Sequence, residues 1–183
     1  MRDLFFLALA ALTLTPTPPP AGLLAQEPTY AGVRVLYGPE DGLSSIDAKL
    51  IGEARQSIDM AAYVLTDRSL TAALGRAAMR GVKVRLYVDG EERGRGASPI
   101  EEIAGAPNLE IRRKSRARDL MHLKSYQVDG RVLRSGSANF TVSGAVYQDN
   151  DVIVIESPQA AARFREAFER LWARPDNQRI GLR

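Results

Sequence analysis

Strand-type and helix-type patterns of apolar residues alternate from Val33 to Trp172, and this alternation restricts the chain to a sheet packed against helices. Val33 to Tyr37 reads as a short strand ended by Gly38-Pro39, and Ile46, Leu50, Ile51 and Ala54 fall on one helical face. Ile58 to Leu65 is an apolar run of buried-strand length. Leu70, Ala73, Leu74, Ala77 and Ala78 mark a second helix, with Ser69 as its cap and Gly81 just past its end. Val82, Val84, Leu86 and Val88 alternate as a strand closed by Asp89-Gly90. A loop is expected around Gly94 to Gly96, a short helix over Pro99 to Ala104 and a strand over Leu109 to Arg113. Met121 to Val128 and Arg131 to Ser135 form two further strands. They are joined by Asp129-Gly130, a dipeptide that tolerates the positive φ of a two-residue hairpin. Val152 to Ile155 is apolar throughout, which predicts cover on both its faces. Ser157-Pro158 opens a last helix, whose buried stripe is Ala161, Phe164, Phe168, Leu171 and Trp172. The expected fold class is α/β, a mixed sheet flanked by helices on both faces.

Composition removes several chemistries. The 183 residues contain no cysteine and one histidine. Disulfides, thiolate catalysis, cysteine zinc sites and a histidine-rich metal site within one chain are thereby excluded. A carboxylate-only Mg²⁺ or Ca²⁺ site has no EF-hand-like spacing to support it. No metal and no cofactor is expected. The formal net charge of +3 permits an anionic partner without demanding one.

The single histidine stands in a dense pattern. His122, Lys124 and Asp129 are followed by Gly136-Ser137-Ala138-Asn139, giving H-x-K-x4-D-x6-G-S-x-N. At roughly one in twenty per position, six fixed residues match by chance a few times in about a million chains of this length. Each residue alone has an ordinary reading: a packed histidine, a plain turn at Asp129-Gly130, a loop glycine and serine. Their joint spacing is what points to chemistry. Residues two apart on a strand share a face, so His122 and Lys124 face the same way. An imidazole beside an ammonium calls for an anion, and a phosphate is such a group. His122 is expected to attack phosphorus as the nucleophile. Lys124 is expected to hold the non-bridging oxygens, with Ser137 and Asn139 donating further hydrogen bonds. Asp129 closes the hairpin and is expected also to steady the cations and donors of the site.

Just upstream, Arg112, Arg113, Lys114, Arg116 and Arg118 place five cations within seven residues. Such a run is read equally well as a solvated surface loop or as a track for phosphates, whose binding would weaken with salt. No aromatics interleave with it, so little sequence preference is expected. Arg93 and Arg95 could extend the basic surface.

The six-position pattern resembles the signature of the phospholipase D superfamily, and Gly136 to Thr141 and Phe168 to Trp172 are similar to it as well. Most members carry two signatures in a longer chain. With one copy and no second histidine, this sequence resembles the short, single-motif branch of the bacterial endonuclease type. The resemblance implies a phospholipase D/nuclease-like fold, metal-independent cleavage of a phosphodiester through a phosphohistidine, and a homodimer sharing one site. It also implies a glutamate shortly before the Val152 strand that orients the nucleophilic histidine. Here that position is Asn150, between Asp149 and Asp151, which bears on rate more than on reaction type. In-line displacement needs a nucleophile on one side of phosphorus and an acid on the other. One histidine per chain therefore calls for a second from a twofold-related subunit.

Residues 1–25 read as an export signal, with Arg2, the apolar run Leu4 to Leu14 and a cleavage point after Leu23-Leu24-Ala25. An apolar run of about eleven is too short to span a bilayer, which takes about 20. Residues 26–32 are a linker and 33–183 the catalytic domain, for which a periplasmic or secreted address is expected. Three functions are in view. The first is a non-specific endonuclease on DNA or RNA. The second is a phospholipase acting on head groups, which would want an apolar lip around the site, and no exposed apolar loop is read near the motif. The third is a catalytically weak nucleic-acid-binding dimer.

Overall fold

The structure, a computed structural model, describes residues 32–90, 98–115 and 119–181. The proposed signal and most of the linker lie outside these residues, as do Arg93, Arg95, Arg116 and Arg118.

In chain order the elements are β1 (Val33–Tyr37), α1 (Leu43–Glu53), β2 (Ser57–Ala62), α2 (Arg68–Met79), β3 (Lys83–Val88), α3 (Pro99–Ile103) and β4 (Leu109–Arg113), then β5 (Lys124–Val128), β6 (Val132–Gly136), α4 (Val142–Val146), β7 (Asp151–Glu156), α5 (Pro158–Trp172) and β8 (Gln178–Ile180). The strands make one eight-stranded sheet in the order β1-β7-β6-β5-β2-β3-β4-β8. The β2–β3 and β3–β4 pairs are parallel and the others antiparallel, so the sheet is mixed, as the α/β alternation implied.

Alternation along the strands sorts side chains between two layers. Ile58, Met60 and Ala62 of β2 and Val84, Leu86 and Val88 of β3 bury against Leu50 and Ile51 of α1 and Leu74, Ala77 and Ala78 of α2. On the other face Ala61 and Tyr87 meet Phe164, Phe168 and Trp172 of α5. Removing a ring such as Phe168, which is fully enclosed, would cost about 3–5 kcal/mol through lost burial and the cavity left behind.

Several local expectations shift. The cap of α2 is Asp67 rather than Ser69: its carboxylate accepts from the backbone N–H of Ser69 and Leu70. Ser157 does cap α5, accepting from the N–H of Ala160. The apolar run from Ile58 leaves the sheet at Tyr63, and Leu65 forms an isolated bridge with Phe140. The strand expected from Met121 begins only at Lys124. Cover over β7 is one-sided: Val152 and Val154 are buried, Ile153 and Ile155 only half-buried. The cause is that α5 packs over β2, β5 and β6, while β7 lies one strand from the sheet edge.

Register carries the fold to the site. Ala62 stands opposite Lys124, Gly136 opposite Val152, and Tyr37 opposite Asp151. The starts of β5 and β7 and the ends of β1, β2, β3, β4 and β6 therefore share one edge of the sheet. Most of the motif gathers there.

Candidate active site

His122 lies just before β5, exposed, and Lys124 is the first residue of that strand and buried. Although His122 precedes the strand, the two side chains meet. Lys124 Nζ lies 3.1 Å from His122 Nε2 and donates to the His122 carbonyl oxygen at 2.9 Å. An ammonium can only donate. Nε2 therefore accepts, which puts the ring proton of a neutral imidazole on Nδ1. Tyr63, just past the end of β2, closes the group: its ring lies 4.5 Å from the imidazole, and Nζ lies 4.8 Å from its centre. Burial lowers the Lys124 ammonium below the ordinary lysine value, because desolvation disfavours the charged form.

The second half of the motif arrives from β6. Gly136 has a φ of 145°, and a Cβ there would sit 2.3 Å from the Asp151 carbonyl oxygen. Only glycine lets the chain pass β7 so closely. Ser137 then interlocks with Asp151. Its N–H donates to Asp151 Oδ1 at 3.1 Å, while its Oγ accepts from the Asp151 N–H at 2.9 Å. The hydroxyl hydrogen stays available to an acceptor. Asn139 is half-buried, with Oδ1 enclosed and without a hydrogen-bond partner. Gly144 of α4 packs under it, since a Cβ at that position would lie 2.9 Å from the Asn139 carbonyl oxygen.

Two site expectations are corrected. Asp129 follows the far end of β5, about 16 Å from Lys124 at the usual strand rise, and His122 lies beyond Lys124 at the other end. Its carboxylate accepts from the backbone N–H of Arg55, Gln56 and Ser57 at 2.7–2.9 Å. The turn reading holds, with φ of 54° at Asp129 and 66° at Gly130, but Asp129 steadies the α1–β2 junction and not the site's cations. Within one chain Asn150 makes no hydrogen bond to the His122 imidazole. Its Nδ2 donates to the Gly144 carbonyl oxygen at 2.8 Å and to Gln148 Oε1 at 3.2 Å, which ties β7 to α4. Asp151 is engaged by Ser137, and among the described residues no carboxylate hydrogen-bonds the His122 ring.

The basic run divides. Arg112 turns inward, donating to the Trp172 carbonyl oxygen at 2.6 Å with its guanidinium 4.3 Å from that indole ring. Arg113 is half-buried and Lys114 buried, and Nε of both Arg112 and Arg113 is enclosed without a partner. None of these three is a free surface arm. Arg112 in particular is structural.

Four residues escaped the sequence reading. Tyr63 left no signal beyond its place in an apolar run. Asp47, Tyr126 and Arg134 form a buried polar group beneath the motif, in which Arg134 and Asp47 make an ion pair and the Tyr126 hydroxyl donates to Asp47. An aspartate on the apolar stripe Ile46, Leu50, Ile51 and an arginine inside a strand were the available clues.

Residues 48–172 match the family model described as cardiolipin synthase, PLD-like domain. A mitochondrial cardiolipin hydrolase of Chlamydomonas reinhardtii is 27% identical over 67% of this chain and 54% of its own length. A phospholipase D of Rickettsia felis is 31% identical over 72% of this chain and 65% of its own. The chain thus spans between about half and two thirds of these relatives. The crystal structure of Nuc, a phospholipase D family member from Salmonella typhimurium, superposes with a TM-score of 0.71 at 27% identity, covering 81% of this chain and 97% of that one.

Proposed function

We propose that this chain, which belongs to the phospholipase D-like family, hydrolyses phosphodiesters by double displacement at His122. The observation that carries the reading is the 3.1 Å approach of Lys124 Nζ to His122 Nε2 at the sheet edge where Ser137 and Asn139 also stand. An anionic diester oxygen would draw the ammonium from Nε2 and release its lone pair for attack. In the first step Nε2 bonds to phosphorus as the ester bond on the opposite side breaks. The leaving oxygen takes a proton from an imidazolium on that side. In the second step the latter imidazole removes a proton from water, the water oxygen bonds to phosphorus, and the N–P bond breaks. Lys124, Ser137 and Asn139 hold the charge that shifts onto the non-bridging oxygens.

The opposing imidazole is His122 of the partner subunit. One ring cannot stand on both sides of phosphorus in one in-line step. The half-buried sheet surface of Val35 and Ile153, with Tyr37 60% exposed beside it, supports a protein partner near this edge.

Nucleic acid is the first substrate reading, supported by the single-motif organisation and the net charge of +3. A specific observation favours a second: Leu120, Leu123, Val142, Val146 and Tyr147 are all exposed. They come from segments flanking the motif, and an apolar lip of this kind suits phospholipid. Plasmid nicking and phosphatidylcholine hydrolysis, each with EDTA present, separate the readings. Nicking that survives EDTA and disappears in His122→Ala is the expected result. Head-group release without nicking would select the lipid reading, and binding with neither would leave a non-catalytic dimer. Export through residues 1–25 belongs to the same proposal, and cell fractionation tests it.

A further inference from the structure

Beneath the open end of the β5–β6 hairpin lies a charged cluster inside the hydrophobic core. Arg134 is 1% exposed, and its Nε and Nη2 each donate to one carboxylate oxygen of Asp47 at 2.9 Å. The Tyr126 hydroxyl donates to Asp47 Oδ1 at 2.8 Å. The guanidinium lies 4.6 Å from the centre of the Phe140 ring. The remaining arm, Nη1, donates to the carbonyl oxygens of Lys124 at 2.8 Å and Ala138 at 3.3 Å.

Those two carbonyls belong to the two halves of the site. Lys124 carries the ammonium, and Ala138 lies between Ser137 and Asn139. Ladder pairing of β5 with β6 runs from Val128↔Val132 to Tyr126↔Arg134. Nearer the site the segments are joined by side chains, namely Ser125 Oγ to Ser135 Oγ at 2.9 Å and Nη1 of Arg134. A buried ion pair is a poor source of stability, because apolar residues of similar volume often hold a core as well or better. Apolar residues cannot, however, bridge two carbonyls on separate segments.

We propose that Arg134, fixed by Asp47 and Tyr126, is a positioning residue that sets the spacing between the His122–Lys124 segment and the Ser137–Asn139 segment. The inference rests on the reading that His122 attacks phosphorus. A donor placed on one segment would otherwise drift relative to a nucleophile on the other, and a misplacement of about 1 Å can lower turnover roughly a hundredfold.

Hydrolysis of bis(p-nitrophenyl) phosphate by the full chain tests it, using wild type, His122→Ala, Arg134→Lys and the triple variant Asp47→Leu/Tyr126→Phe/Arg134→Met. The triple variant removes every polar side-chain atom of the cluster together, so no buried charge is stranded. Arg134→Lys keeps a cation against Asp47 but cannot reach the carboxylate and both carbonyls. The expected result is cooperative thermal unfolding of both variants, kcat lowered about 30- to 100-fold and KM changed less than about threefold. A folded triple variant with kcat within about twofold of wild type would overturn the proposal. Should that variant not fold, Arg134→Lys decides in the same way. Full activity in His122→Ala would instead remove the reading of the site itself, whatever the Arg134 variants do.

Discussion

At the scale of single residues, the site turns on an exposed imidazole whose Nε2 is covered by a buried ammonium. Burial lowers the Lys124 pKa, and this has two consequences of opposite sign. Phosphate binding needs the charged form, so the basic limb of the pH–rate profile is expected below the ordinary lysine range. Stability moves the other way. Between the lowered folded value and the ordinary unfolded one, the unfolded chain holds the extra proton. The burial penalty is therefore present in full below the lowered folded value and is relieved as pH rises through that window. Denaturant melts of wild type and Lys124→Met across this range check it, and the variant is expected to lose the rise. The pairing of His122 with Lys124 was legible from their two-residue spacing. The Asp47–Arg134 pair was not, because charged side chains are so seldom fully buried that an arginine between Leu133 and Ser135 reads as a strand residue facing solvent. Stranding one partner, as in Asp47→Ala, is expected to destabilise the fold by about 3–5 kcal/mol, against the milder effect of removing the whole cluster.

At the scale of elements, Asp129 and Gly136 show how a spacing pattern mixes chemistry with architecture. Both belong to the motif, yet neither is placed to touch a substrate. Asp129 accepts three backbone N–H groups at the start of β2 from a position with φ of 54°. Asp129→Ala is expected to lower stability by about 2–4 kcal/mol, from lost charge-assisted hydrogen bonds and left-handed strain. The folded fraction should keep kcat within about twofold. Chemical denaturation and single-turnover assays on one preparation separate the two effects. Period-two reasoning correctly gave β5 a face but no distance, so it set Asp129 among the site's cations when the strand carries it to the opposite edge. Short elements were the other gap. α4 and β8 are each too brief for periodicity to register, although α4 seats Asn139 through Gly144 and Asn150. The apolar run at Val152 spoke for two-sided cover, whereas cover depends on which strands α5 spans, and that is set by sheet order and not by the run itself.

At the scale of the whole molecule, one histidine per chain makes the proposed chemistry a property of a pair. Unfolding and refolding wild type with an equal amount of His122→Ala would yield about one quarter wild-type pairs on random assortment. Activity should then fall to about that quarter, where independent subunits would retain about half. The mixed α/β sheet and its flanking helices were readable in the alternation of patterns from Val33 to Trp172, because layered packing leaves few alternatives. The proposed contribution of a second subunit had no such pattern behind it and followed from counting imidazoles and from the family resemblance. The central claim is that phosphorus passes through His122. It is tested most directly by quenching turnover of a phosphodiester substrate into alkali and weighing the peptide that contains His122 by mass spectrometry. A phosphoryl-ester adduct on His122 that forms and decays at the rate of turnover is predicted. Sustained turnover with that peptide unmodified at every quench time would contradict it.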